Sequence, residues 1–188
     1  MNMTKAVWYA NTLLKKWRYG ALGRNSYFGK ALFIQRPKSL FIGNHVRIYP
    51  GMRAEMTQEQ AKIYIQDNVS IGQNFHVVSY DRELVIGENT TISANVFISN
   101  VNHDYKEIDV HSLEQRMIVK ETVIGNYCFI GYGAVILPGT KLGKQCIVGA
   151  NSVVSGEFPD YCVLAGSPAR IIRKYNQETK QWERYHDE

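Results

Sequence analysis

The sequence predicts an all-β chain wound into a parallel β-helix. Three observations carry this: aliphatic residues recur every six positions, glycine follows many of them, and residues that accept a left-handed backbone recur at a fixed place in the hexad. The repeat is purest at Ile118, Ile124, Ile130, Ile136, Leu142, Val148 and Val154. Shorter runs keep the same step at Ile42 and Ile48, at Ile65, Ile71 and Val77, and at Ile86, Ile92 and Ile98. A period of six fits neither 3.6 nor 3.5 residues, which removes a helical reading.

Each position of the hexad has its own chemistry. Glycine follows the aliphatic residue at Gly43, Gly72, Gly87, Gly125, Gly131, Gly143 and Gly149. Positions three and four read Pro50-Gly51 and Pro138-Gly139, the pair that suits a type II turn. Elsewhere the fourth position is Asn68, Asn74, Asn89, Asn95, Asn151 or Gly133, residues that tolerate positive φ. Tyr127 and Gln145 depart from this rule, and strain is expected at Tyr127. The fifth position is small or β-branched, as at Val46, Val69, Thr90, Cys128, Ala134 and Cys146. Cys128 and Cys146 lie one coil apart and read as stacked core fillers. The unit is therefore strand, turn, strand. Three faces close one coil, and coils stack at about 4.8 Å.

Three segments follow. Residues 1–40 form a basic N-terminal segment with a short helix, residues 41–165 form the β-helix with a loop ejected over 99–117, and residues 166–188 form a helical or extended tail. Met3, Val7, Ala10, Leu14 and Trp17 keep helical spacing, with Lys15, Lys16 and Arg18 beside them. This helix reads either as a cap on the open end of the coil or as a helix on a membrane surface, with Trp8 and Trp17 at the interface.

The 188 residues are 45% hydrophobic and 21% charged, which fits one globular domain rather than a disordered chain. No apolar run approaches the roughly 20 residues of a membrane span. Lys5, Lys15 and Lys16 interrupt any secretory signal, so a cytoplasmic protein is expected, with peripheral contact at the inner face of the membrane as an option. Three cysteines without a C-x-x-C pair fit a reducing compartment. Residues 1–54 hold ten Lys or Arg and no acid, whereas the remainder holds twelve bases and seventeen acids. Such a cationic end can hold an anionic membrane surface or a phosphorylated substrate, and equally reads as a solvated basic face. Nucleic acid is not expected as a partner.

The longest break in the period lies between Ile98 and Ile118, where the step exceeds one hexad by fourteen residues. A loop of that length is usually functional. It reads Ser99-Asn100-Val101-Asn102-His103-Asp104-Tyr105 and runs on through His111, Glu114 and Arg116. An imidazole titrates near neutrality and can take a proton from a hydroxyl, so His103 is the candidate base. Asp104 could orient it. Adjacent residues seldom point at each other, so Asp81, Glu114 or a backbone carbonyl could serve instead.

Asn102-His103-Asp104, residues 123–154 and the run Ala165-Gly166-Ser167-Pro168-Ala169-Arg170-Ile171-Ile172-Arg173-Lys174 resemble the hexapeptide-repeat acyltransferases. The similarity covers roughly residues 40–185. Within that family it is greatest to enzymes that O-acetylate sugars of lipopolysaccharide O-antigen or capsule. The resemblance implies a left-handed coil, acetyl-CoA as donor, no metal, and a homotrimer with each site between two subunits. It also implies roles: His103 and Asp104 as catalytic residues, His76, Asn102 and Phe129 at a sugar or glycan-precursor acceptor, and Tyr132, Ala150, Ser155, Arg170 and Arg173 along the coenzyme A groove. Relatives usually carry Asn at the His76 place, Trp at the Phe129 place and often Lys at the Gly156 place, so these three contacts differ here. The alternatives are an N-acetyltransferase acting on an amino-sugar nucleotide, a metal-dependent enzyme of the carbonic anhydrase type, and a non-catalytic scaffold.

Overall fold

A hexad with one inward aliphatic residue can stack only if each coil repeats the register of the one below. The computed structural model, which describes residues 3–185, has that arrangement. Three parallel sheets form the faces of a prism, with seven rungs on the first face, seven parallel rungs on the second and six on the third. On the first face Leu22, Ile42, Ile65, Ile86, Ile124, Leu142 and Phe158 stand over one another. On the second the column is Phe28, Ile48, Ile71, Ile92, Ile130, Val148 and Leu164. On the third it is Ile34, Ala54, Val77, Ile98, Ile136 and Val154. These columns are the core, and nearly all of their members are buried.

The corners show the turn chemistry. Asn25, His45, Asn68, Asn89, Tyr127 and Gln145 all have φ between 54° and 60° where the first face turns into the second. Tyr127, at φ 60°, and Tyr161, at φ 58°, are bulky residues held in the left-handed region. The Asn68 amide donates to Asn89 at 2.9 Å and the Asn74 amide donates to Asn95 at 3.0 Å, so the corners carry ladders of their own. Cys128 and Cys146 share one buried column, and Cys162 joins them, with its sulfur 3.4 Å from that of Cys146. The contact with Cys146, followed by burial, pushes the Cys128 and Cys162 thiols up, away from the thiolate form.

Two expectations are corrected. The β-helix starts a coil earlier than residue 41. The strands Ala21–Leu22, Tyr27–Phe28 and Phe33–Ile34 pair with the coil above them. Leu22, Phe28 and Ile34 keep the step of six, but the aromatic residue hides it from an aliphatic count. Ile118 is outside the core: it lies in an antiparallel hairpin opposite Asn102, and the coil resumes at Thr122–Ile124. The tail takes the extended one of its two expected forms. Ala169–Asn176 runs antiparallel to Cys162–Gly166, and Gln181–Arg184 adds outside it.

The helix Met3–Leu14 packs against the first coil. Trp8 lies 6.3 Å from the Tyr27 ring and 5.9 Å from the Tyr49 ring. The Thr12 hydroxyl accepts the Phe28 N–H at 2.9 Å, satisfying a donor at the open edge of the first rung, and donates to the Trp8 carbonyl at 2.7 Å. The helix thus caps the prism end.

Because Ile130 is fully buried and Ile118 is not, Ile130→Ala is expected to lower the unfolding free energy by about 2–5 kcal/mol. Ile118→Ala should lower it by well under half of that. Chemical denaturation of both variants checks the register, and equal losses would contradict it.

Candidate active site

The loop leaves the prism at the edge between the third and first faces. Its neck is clamped by Asn100, whose buried amide accepts the Tyr80 N–H at 2.9 Å and donates to the Ser79 hydroxyl at 3.3 Å. The Thr122 hydroxyl donates to the Ser99 carbonyl at 3.1 Å where the chain returns. Between these points Val101–His103 pairs antiparallel with Met117–Val119, placing His103 opposite Met117. At the tip the Gln115 side chain accepts the Glu107 N–H at 3.1 Å and donates to the Glu107 and Val110 carbonyls. The loop is therefore a braced hairpin.

Side chains alternate across a strand, and that alternation separates His103 from Asp104. The His103 Nδ1 lies 3.2 Å from the Ser112 carbonyl. A carbonyl only accepts, so Nδ1 carries a proton, which in the neutral ring leaves the lone pair on Nε2. Asp104 turns the other way. Its carboxylate accepts Arg116 Nε at 3.0 Å, together with the backbone N–H groups of Tyr105 at 2.9 Å and Lys106 at 3.4 Å. The Arg116 guanidinium, and after it those two N–H groups, hold the Asp104 carboxyl below the usual carboxylate range against the opposing effect of burial. The expectation that Asp104 orients His103 is corrected: among the options read from sequence, the backbone carbonyl is the one in place. Ser112 could not have been found in the sequence, since any residue supplies a carbonyl. His111 is turned into its own loop, with Nδ1 accepting the Leu113 N–H at 3.2 Å.

His103 and Asn102 line a cleft of about 630 Å³ against the edge of the coil. Leu137 and Pro138 form its apolar wall, Lys106, Arg116 and Lys120 make it cationic, and Ser155 lies on it from the coil above. The cations went unread because a lysine in a polar loop carries no positional signal.

The other residues expected at the site fall elsewhere. Tyr132 and Ala150 stand on successive coils along the edge between the second and third faces, and Arg170 pairs with Ala165 at the next level of that edge. The Tyr132 hydroxyl takes the Asn95 amide at 2.5 Å. Phe129 and Arg173 lie on the second face in the outward row that continues through Ile147 and Val163. His76 lies on the third face, 2.8 Å from the Glu55 carboxylate and edge-on to Phe97. Arg53 binds the same carboxylate at 2.6 Å, and Arg53 ahead of His76 lowers the Glu55 pKa. One copy of the chain thus brings together His103, Asn102 and Ser155. It does not bring His76, Phe129, Tyr132, Ala150, Arg170 or Arg173 to that cleft.

Residues 121–156 match the family model described as bacterial transferase hexapeptide (six repeats). The chain is 35% identical over 163 residues to the Escherichia coli K12 protein named "Putative lipopolysaccharide biosynthesis O-acetyl transferase WbbJ", covering 81% of this chain and 80% of that one. It is 34% identical over 122 residues to the galactoside O-acetyltransferase of Escherichia coli K12, spanning 61% of this chain and 58% of that relative's length. Two solved structures share the fold at lower identity. AntD, an N-acyltransferase from Bacillus cereus in complex with dTDP and 3-hydroxybutyryl-CoA, superposes with a TM-score of 0.78 at 21% identity over 92% of each chain. Galactoside acetyltransferase in complex with coenzyme A superposes with a TM-score of 0.63 at 22% identity over 100% of this chain and 78% of that one.

The geometry of Asp104 makes it a brace, and the sign of its pKa shift fixes the pH window. A carboxyl whose folded pKa is depressed stabilises the fold above its ordinary value, roughly 3.9, and that contribution is lost as pH falls through the depressed value. Asp104→Asn should therefore speed hydrogen exchange across residues 100–120 at neutral pH. It should also abolish the acid-induced loosening of that hairpin expected of the parent. Unchanged exchange in the variant would show that the ion pair does not brace the loop.

Proposed function

The chain belongs to the hexapeptide-repeat acetyltransferases, and we propose that it moves an acetyl group from acetyl-CoA to a sugar hydroxyl of a lipopolysaccharide or polysaccharide precursor. The observation that carries the reading is the His103 imidazole, held through Nδ1 by the Ser112 carbonyl in the lining of a cationic cleft. The relatives named for lipopolysaccharide and galactoside O-acetylation favour a hydroxyl acceptor. In this scheme Nε2 takes the hydroxyl proton as the oxygen bonds to the acetyl carbon. The C–S bond breaks, and the imidazolium returns the proton to the departing thiolate. The products are an acetyl ester and the free thiol of coenzyme A. Lys106, Arg116 and Lys120 suit the phosphates of the donor or of a phosphorylated acceptor.

The same reading includes a trimer. Tyr132, Ala150 and Arg170 occupy one edge of the prism, whereas His103 and Ser155 occupy another. Around a threefold axis the first edge of one copy meets the second edge of its neighbour, so a single groove can use both sets. Each edge alone is incomplete, which favours sites shared between copies.

His103→Ala is expected to cut acetyl transfer by roughly 10²–10⁴-fold with little change in stability, because the residue lies outside the core. His111→Ala, which removes the other imidazole of the loop, should leave turnover within about threefold of the parent. Near-normal turnover in the first variant and a large loss in the second would overturn the assignment. An acceptor screen with acetyl-CoA that includes hydroxyl sugars and amino-sugar nucleotides separates O- from N-transfer. Light scattering should give three times the 21.5 kDa chain mass, and a monomeric mass would count against shared sites.

A further inference from the structure

The helical stripe Met3, Val7, Ala10, Leu14 and Trp17 is exposed, with only Val7 bordering the groove between helix and coil. The helix turns Trp8 and Thr12 inward and leaves that stripe outside. Leu14 is 76% exposed and Trp17 is 73% exposed, and Leu32 of the first coil, at 73%, adds to the same end. The cap therefore uses the polar and aromatic side of an amphipathic helix and displays the apolar side, the reverse of ordinary surface helices. This pose is anchored: the Lys38 amine donates to the Trp17 carbonyl at 2.6 Å, tying the turn after the helix to the first coil.

Cations frame the stripe. Lys15, Lys16 and Arg18 adjoin it and are exposed, as are Lys30 and Arg36 on the first coil. A groove of about 610 Å³ between helix and coil has Val7, Trp8 and Phe33 in its apolar lining and Lys15, Arg18 and Lys30 among its polar groups. No carboxylate occurs in the first 54 residues to neutralise them. An apolar stripe beside unneutralised cations fits a surface that is oily below and anionic above. It fits a second copy of the same end poorly, because like charges would face each other.

We propose that this end of the prism docks on an anionic bilayer surface, with Leu14 and Trp17 inserted at the headgroup level and the flanking lysines and arginines on lipid phosphates. Among the described residues no helix is long and apolar enough to cross a membrane, so the contact is peripheral. The His103 loop leaves the fourth coil, about three rungs or roughly 15 Å above the first, within reach of a glycan carried on a lipid. The docking is independent of which reaction the cleft performs.

Vesicle flotation of the full chain tests it. The protein should float with phosphatidylglycerol–phosphatidylcholine vesicles at low salt, lose binding as salt rises, and stay unbound with pure phosphatidylcholine. Leu14→Glu/Trp17→Glu should weaken binding by about tenfold or more, and Lys15→Glu/Lys16→Glu should weaken it comparably at low salt. Both variants should keep the parent's melting temperature and its turnover of a soluble acceptor, since all four side chains are exposed and far from His103. The proposal falls if the parent ignores anionic vesicles at low salt, or if the Leu14→Glu/Trp17→Glu variant floats as the parent does. It falls equally if that variant changes the mass of the protein in solution and leaves flotation unaltered, a result that would give the stripe to a second copy.

Discussion

In-register stacking is the constraint on which the molecule depends. Each inward residue sits directly over its counterpart in the next coil, at the roughly 4.8 Å spacing of a parallel ladder. The columns from Leu22 to Phe158 and from Phe28 to Leu164 run the length of the prism without a slip. A single inserted residue within a rung would turn the following inward side chain to solvent. Extra sequence can therefore leave only at a corner. That is where the hairpin holding His103 emerges, and its neck is clamped by Asn100 and Thr122 so that the coil above resumes in phase.

The same constraint sorts functional groups by edge and level. A residue on a corner keeps its edge on every coil, so Tyr132 and Ala150 cannot share an edge with Ser155 in one chain. The third face lies between them, and its outward row is apolar at Phe97, Val135 and Val153, above His76 and Arg53. A groove that used both edges of one copy would have to span that face. Two copies meeting edge to edge would not, which is the geometric reason for expecting assembly.

The coil from Ile42 to Val154 was legible because its period is unlike that of any helix and because asparagine and glycine mark its corners. Legibility failed where residues kept the period for another reason, or broke it for none. Ile118 falls on the hexad step yet belongs to the hairpin, since two strands that meet the coil can match six by coincidence. Phe28 keeps the inward place but is aromatic, so the first coil went unread within a basic segment. Asp104 was attractive as a neighbour of His103 in sequence. It could have been set aside had Val101–His103 been recognised as a strand, because neighbours in a strand point apart. The Ser112 carbonyl leaves no mark in a sequence at all. The helix stripe was legible as a pattern, but not the side it faces, since only packing decides which half of an amphipathic helix is covered.

The hairpin divides two tasks between two groups. Through one group the Asp104 carboxylate joins Arg116, twelve residues further on, and ties the outgoing limb to the returning one, while the Tyr105 and Lys106 N–H groups hold the same carboxylate within its own limb. At the other, a neutral carbonyl holds Nδ1 of His103. A neutral carbonyl at Nδ1 gives the ring no ionic hydrogen-bond partner, while Arg116 of the ion pair that stiffens the loop lines the same cleft as His103. A carboxylate in contact with the ring would have combined both tasks in one group, and any change to the brace would then have altered the base. Because no atom of the Asp104–Arg116 brace hydrogen-bonds to the ring, loosening the brace removes no hydrogen bond from His103.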